Sequence, residues 1–308
     1  LHIPGVKVVL PDGSVVQTGA GAGNNINNKM IYDRYPGNPD LTGLFIGDSG
    51  VFGIKVEATY RMYKYSPHRV ALAYYYDSFE KAWEAMQELS IVEPLPYILA
   101  PIVPPTALTK MQGMDRYLLM AVTKGWTEKE MNARVEIIDE VMAKHKGVVA
   151  TGPQVEEWKN ATITGRRHRE MGEFSSIGTW SYFEYYVSRS QVVDCHHTMR
   201  NFIYNRLKEH NVKHMSNEGC IGSRAESWIL TTIIWIQGED KRARQVLQDL
   251  FTEATELACS HGWYPDCHHG WGTRMMAKYW PKHHYELMRK LKEALDPNNI
   301  MNPGVWDL

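Results

Sequence analysis

Four cysteines in 308 residues leave little room for sulfur chemistry. Cys195, Cys220, Cys259 and Cys267 form no CxxC pair, which argues against a zinc ribbon or a thioredoxin-type site. Free thiols in a reducing compartment are the simpler reading, and a cytoplasmic protein is expected. No apolar run reaches the ~18 residues that a membrane span needs, and no signal-peptide pattern opens the chain. An excess of one charge is missing too. The sequence has 34 Lys and Arg against 35 Asp and Glu, with no long block of either sign. That balance gives no footing for nucleic acid or for an anionic membrane surface. The chain opens on Leu1 rather than Met, which leaves room for a start upstream.

Aromatic residues, in contrast, are abundant. The 17 Tyr and 10 Trp are many for a chain of this length; aromatic residues fill cores, and they also line clefts for flat or apolar ligands. A hydrophobic fraction of 44% and a charged fraction of 22% are those of an ordinary globular protein. The length allows one large domain or two.

Residues 5–19 read as strand, turn and strand about Pro11-Asp12-Gly13. Residues 20–40, rich in Gly, Asn and Pro, read as loop. Residues 41–62 hold a short apolar run, a glycine-rich turn and a strand from 53 to 62. From Pro67 onward strands and helices alternate. Strands are predicted at 70–76, 117–123, 148–150, 180–187 and 228–236. Helices are predicted at about 78–89, 127–146, 190–207 and 246–258, with short ones at 273–280 and 283–295. Ser78 or Asp77, and Thr127 with Glu130, supply N-cap signals; Gly262 is a stop. Five prolines in 92–106 predict an extended loop. The class is α+β, with a mixed sheet covered by helices over 67–262 and no visible internal repeat.

Two tempting motifs fail. Gly47-Asp48-Ser49-Gly50 resembles a serine-protease turn, but a base and a carboxylate would have to precede the serine, and His2 is the only histidine that does. Gly19-Ala20-Gly21-Ala22-Gly23 precedes no helix pattern and offers no helix N-terminus to a pyrophosphate. The densest reactive cluster is Asp266, Cys267, His268 and His269. It could place a histidine against a cofactor or substrate, hold a metal, or be a structural loop; adjacent loop residues rarely chelate one ion, so no metal is assigned. His196 lies on an apolar helical stripe and reads as a core histidine. Arg166 and Arg167 are either a solvated face or a carboxylate clamp.

Two stretches carry a family resemblance. The first runs from Val8-Val9-Leu10-Pro11-Asp12-Gly13 through Thr18-Gly19 to Leu41-Thr42-Gly43-Leu44-Phe45-Ile46-Gly47-Asp48-Ser49-Gly50-Val51-Phe52-Gly53-Ile54. The second is Leu295-Asp296-Pro297-Asn298-Asn299-Ile300-Met301-Asn302-Pro303-Gly304. Together they resemble the second half of the FAD-binding domain, and the C-terminal return to it, in the vanillyl-alcohol oxidase and p-cresol methylhydroxylase flavoprotein family. Ser260-His261-Gly262-Trp263 followed by His269 is similar to the vanillyl-alcohol branch, and His268-His269-Gly270 stands where the D-lactate branch has Glu-His-Gly.

The resemblance implies part of the FAD-binding domain at 1–66, a ferredoxin-like substrate (cap) domain at 67–264 and a C-terminal return at 265–308. It implies FAD beside Gly43, Gly47, Asp48, Ser49, Gly50, Gly53, Ile54 and Asn302. A small-molecule substrate would lie near Trp228, Trp235, Trp263, Arg166 and Arg167. His269 is the expected base, with His268 and Asp266 beside it. The family's pyrophosphate-binding segment has no counterpart here, so an upstream segment or a second chain is expected to complete the flavin site, in a homo- or hetero-oligomer.

The family's phenolate-binding Tyr-Arg pair is replaced by Asp266-Cys267. The histidine-rich metal strand of the lactate branch is missing, since 214–236 holds only His214. The expected activity is therefore oxidation of an alcohol, an aromatic one first. A D-2-hydroxy-acid dehydrogenase and a non-catalytic cap-type subunit are the alternatives. A covalent flavin link through His196 or His197 is a further option.

Overall fold

A computed structural model describes residues 2–19, 22, 34, 39–92, 98–105, 115–164, 178–222, 227–236, 240–266 and 270–308, and the structural statements below concern these. The chain forms two units, Leu1–Tyr65 with Cys267–Leu308, and Ser66–Asp266.

In the first unit, strand β1 (Gly5–Val9) pairs antiparallel with β2 (Val15–Gln17) across the Pro11-Asp12-Gly13 turn. Gly13 takes φ +84°, and Asp12 accepts the Ser14 amide at 2.9 Å. The apolar run after Asp40 is a short helix, α1 (Leu41–Phe45), capped by the Asp40 carboxylate on the Gly43 amide. Strand β3 (Ile54–Thr59) returns along the other side of β1.

The second unit contains a repeat that the sequence does not display. Its first half runs β4 (His68–Tyr76), α2 (Phe79–Leu89), β5 (Ile98–Val103), β6 (Tyr117–Gly125), α3 (Glu128–Lys144) and β7 (Val148–Val149). The strand order β7-β4-β6-β5 is that of a ferredoxin-like βαββαβ unit. After α4 (Pro153–Thr164) the plan recurs: β8 (Thr179–Ser188), α5 (Val192–Glu209), β9 (His214–Gly222), β10 (Ser227–Ile236), α6 (Lys241–Ser260) and β11 (Tyr264–Pro265), in the order β11-β8-β10-β9. Pairing of β5 with β9 fuses the halves into one eight-stranded sheet. The α+β class and the ferredoxin-like cap hold, but every described pair is antiparallel, so the sheet is not mixed. Antiparallel pairing follows from the βαββαβ plan, which sets the third strand between the two parallel ones.

The helix caps follow the sequence. Ser78 accepts the Lys81 amide, Thr127 accepts the Glu130 amide at 3.1 Å, and Gly262 ends α6 at φ +75°. Three elements do not follow it. β5 occupies part of the proline-rich stretch expected to be loop; its register shifts between Leu99 and Ile102, which lets Pro101, without an N–H, sit in a strand. β9 forms from a polar, glycine-containing stretch because it pairs on both sides, with β10 and β5. α4 begins on Pro153 and buries only Val155 and Ala161.

Four helices share one face of the sheet. Tyr74 and Tyr76 hydrogen-bond α3 at Asp139 and the Met142 carbonyl, Trp83 of α2 meets Trp228 edge-on at 4.5 Å, and Phe183 packs on Phe251 of α6 at 5.9 Å. α4 lies on the opposite face, where Val155 and Trp158 pack on Ala73, Tyr75, Leu118 and Met120, the alternate residues of β4 and β6. The chain then returns to the first unit with α7 (Gly270–Ala277) and α8 (Lys282–Leu295). Leu291 and Leu295 of α8 pack on the first unit's core of Val6, Val8, Phe45, Val51 and Phe52. Among the described residues no helix is long and apolar enough to cross a membrane.

Candidate functional site

The glycine-rich stretch 47–53 folds as a tight turn about a buried carboxylate. Asp48 accepts the amides of Gly50 at 3.1 Å and Phe52 at 3.3 Å, and pairs with the Lys55 ammonium. Three glycines serve three purposes. A Cβ on Gly50 would come within 2.6 Å of the Asn302 amide nitrogen, and one on Gly53 within 2.7 Å of Val8 and of the Val9 carbonyl. Gly47, at φ +78°, has nothing among the described residues within 4 Å of where its Cβ would stand. Asn302, itself left-handed at φ +41°, donates from Nδ2 to the Ser49 carbonyl at 2.6 Å. Behind it, buried Lys292 donates to the carbonyls of Val51 and Met301 and to Asp296, at 3.2, 2.6 and 2.5 Å. Asp296 also accepts the amides of Ile300 and Met301. Burial works against its ionisation, but Lys292 and the two amides hold the carboxyl below the usual range.

In the second unit, the face of β8 and β10 turned away from α5 and α6 carries Trp180, Tyr182, Glu184 and Tyr186 opposite Trp235, Ile233, Thr231 and Ile229. The rings of Trp180 and Tyr182 lie 5.7 Å apart, and Trp180 is 43% exposed. Tyr186 pairs across to Tyr264, and its hydroxyl lies 3.5 Å from Asp266 Oδ2. Burial, then Asp266 and Glu184, push the Tyr186 phenol up to about 12.

The opposite face holds a buried polar cluster under α5. Arg200 and Tyr204 both reach Glu218 Oε1 at 2.5 Å, beside a cavity of about 10 Å³. Burial pushes the Glu218 carboxyl up. His196 stacks on Phe79 at 3.8 Å, and its buried Nε2 has no hydrogen-bond partner among the described residues.

The family described as FAD linked oxidases, C-terminal domain, matches residues 66–305. The chain belongs to that family. The glycolate oxidase subunit GlcD of Bacillus subtilis (strain 168) is 24% identical over 314 residues, covering 98% of this chain and 62% of that protein. The 4-ethylphenol oxidase of Gulosibacter chungangensis, solved with isoeugenol, shares the fold at TM-score 0.76 and 18% identity, over 99% of this chain and 65% of that one. p-Cresol methylhydroxylase with substrate bound matches at TM-score 0.75 and 17% identity, over 100% and 65%. The chain thus spans just under two thirds of these relatives.

FAD is the cofactor of the family, and in the turn at 47–53 no described residue stands in the way of a flat ring at the Gly47 backbone. Gly50 and Gly53 do not share that openness, because Asn302, Val8 and Val9 fill their Cβ positions. Asp48 is spent inside its own turn, and Gly43 belongs to the α1 cap. Ile54 is exposed at the start of β3.

The expected substrate residues separate. Trp228 and Trp235 are seven positions apart on a strand of unbroken register, so they point to opposite faces. Trp228 is fully buried against Trp83 under the helices, and Trp263 is buried and stacked on His261. Trp235 and Asp266 share a sheet face with Trp180, Tyr182 and Tyr186, which the sequence reading missed. The alternation Trp180, Tyr182, Glu184, Tyr186 was the signal available. Arg166, Arg167, Cys267, His268 and His269 lie outside the described residues. His196 is a core histidine, and His197 pairs with Glu80 at 2.6 Å.

Proposed function

We propose that this chain is the substrate-binding part, with a C-terminal flavin-contacting part, of an FAD-dependent oxidoreductase that oxidises an aromatic alcohol. When bound, flavin supplies the acceptor for hydride from the substrate C–H. The observation that carries the reading is the aromatic face of Trp180, Tyr182 and Tyr186, half open to solvent on a sheet whose other face is covered by helices. Aromatic side chains there suit a flat ring. Tyr186, with its phenol held protonated well above neutral pH, can donate a hydrogen bond to a substrate oxygen. His269, next to His268 and near Asp266, is the proposed base for the hydroxyl proton.

A second reading, a 2-hydroxy-acid dehydrogenase, is favoured by the similarity to a glycolate oxidase subunit. Arg166 and Arg167 would then hold the carboxylate. The same relative, a subunit by name, supports a further chain as partner. The test is anaerobic titration of the full-length, FAD-loaded protein with 4-hydroxybenzyl alcohol and, separately, with glycolate and D-lactate, following flavin bleaching. Bleaching by the alcohol alone upholds the first reading, and bleaching by the acids alone replaces it with the second. Bleaching by neither, together with unchanged assembly and function of His269→Ala, leaves a non-catalytic subunit.

A further inference from the structure

Lys292 is a buried lysine with no bulk solvent around its ammonium, a costly placement unless every proton is used. Here all three are. They go to the Val51 carbonyl beside the glycine-rich turn, to the Met301 carbonyl beside Asn302, and to Asp296 at the end of α8. The two carbonyls are 250 residues apart in sequence and belong to the two segments that meet at the Asn302–Ser49 hydrogen bond. That bond joins two residues that are both left-handed without being glycine, Ser49 at φ +47° and Asn302 at φ +41°. Such backbone persists only where its surroundings fix it. The sequence gives no hint of the connection, because Lys292 lies on a helix that otherwise reads as charged and amphipathic.

We propose that Lys292, with Asp296, is a positioning residue. It latches the Asn302 turn onto the 47–53 turn and so sets the backbone that meets the flavin. The inference rests on the reading that the turn at Gly47 faces FAD. Lys292 touches neither substrate nor cofactor in this scheme; it acts through the Val51 and Met301 carbonyls.

The experiment uses the full-length protein. Amide hydrogen exchange over 46–56 is followed with and without FAD, alongside the FAD dissociation constant and the unfolding midpoint. The variants are Lys292→Met with Asp296→Asn, which removes both charges together and so leaves no unpaired buried ion, and Asn302→Gly. The second keeps the left-handed backbone, removes only an exposed amide and should fold whatever the first does. The expected result is faster exchange over 46–53 in both variants. The FAD dissociation constant should rise roughly tenfold, the scale of losing one charge-assisted hydrogen bond's worth of preorganisation. For Asn302→Gly the unfolding midpoint should stay at the wild-type value.

Wild-type exchange that FAD does slow, with exchange and FAD affinity unchanged in both variants, overturns the latch. So does FAD affinity that falls only in step with the unfolding midpoint. Wild-type exchange that FAD does not slow overturns the underlying reading of the turn, whatever the variants do.

Discussion

His196 offers a test of the packing of the second unit that needs no cofactor. Its ring stacks on Phe79 at 3.8 Å and 7°, with Tyr117 edge-on at 6.4 Å, and its Nε2 has no hydrogen-bond partner among the described residues. Burial first, then the charges of Arg200 and His197, lower its pKa from 6.5 to about 3; Glu80 opposes them. The folded protein therefore refuses a proton that the unfolded chain accepts. For a folded pKa below the unfolded one, the stability is fully present above pH 6.5 and is lost as pH falls from there toward 3. Each unit within that window removes about 1.4 kcal/mol, so the fall from pH 7 to pH 5 is about 2 kcal/mol. Glu218, close by, has a raised carboxyl and titrates with the opposite sign, so the comparison must be made by difference. His196→Leu keeps the volume and cannot titrate. Denaturant unfolding of wild type and variant at pH 7, 6 and 5 should show wild type losing about 2 kcal/mol relative to the variant. Parallel pH profiles would refute the buried, unpartnered histidine.

Four further outcomes follow from the same structure. Gly53→Ala should destabilise more than Gly50→Ala in thermal unfolding, because its Cβ meets the Val9 backbone carbonyl at 2.7 Å whereas that of Gly50 meets the Asn302 side chain, which can swing away. Arg200→Met alone should destabilise by leaving the buried Glu218 carboxyl without its cation, and Arg200→Met with Glu218→Gln should recover most of the loss; a denaturant double-mutant cycle measures both. Trp228→Ala should cost about 3–5 kcal/mol in stability, while Trp228→Phe should leave the substrate profile of flavin bleaching unchanged, since Trp228 faces the helices. Tyr186→Phe should weaken substrate binding in the same titration, by roughly tenfold if its hydroxyl donates to the substrate, with the unfolding midpoint little changed.

What could be read from the sequence was whatever rests on local signals. Ser78, Thr127 and Gly262 cap their helices because the required groups lie within four residues of one another. β10 was evident because it is apolar on both faces, as a strand buried between two neighbours must be. β9 was hidden for the converse reason. Its residues show no alternation, and two long-range partners place it in the sheet. β5 was hidden by its prolines until a register shift accommodates Pro101. For the proposed site, the motif resemblance singles out the turn at 47–53 and its return segment, but it does not distinguish Gly47, whose Cβ position meets no described residue, from Gly50 and Gly53, which face protein. Trp228 and Trp235 cannot share a substrate face, because an odd spacing on one strand turns them to opposite sides of the sheet.

The two ferredoxin-like halves also differ in a way that bears on function. Both put their paired helices on the same face of the common sheet, which leaves each half a second face to cover. The first half covers it with α4, whose Val155 and Trp158 press on β4 and β6, and the residues beneath are Ala73, Tyr75, Leu118 and Met120. The second half has β11 after its last helix, and on the far face of β8 Trp180 is 43% exposed. There the alternate residues are Trp180, Tyr182, Glu184 and Tyr186. The half without α4 instead carries rings with polar edges and two carboxylates, Glu184 and Asp266, beside a tyrosine kept protonated. This difference between halves of equal topology is what the proposed recognition face on β8 and β11 rests on, and substitutions at Trp180 or Tyr182 should therefore change the substrate profile of flavin bleaching while substitutions at Val155 or Trp158 change only stability.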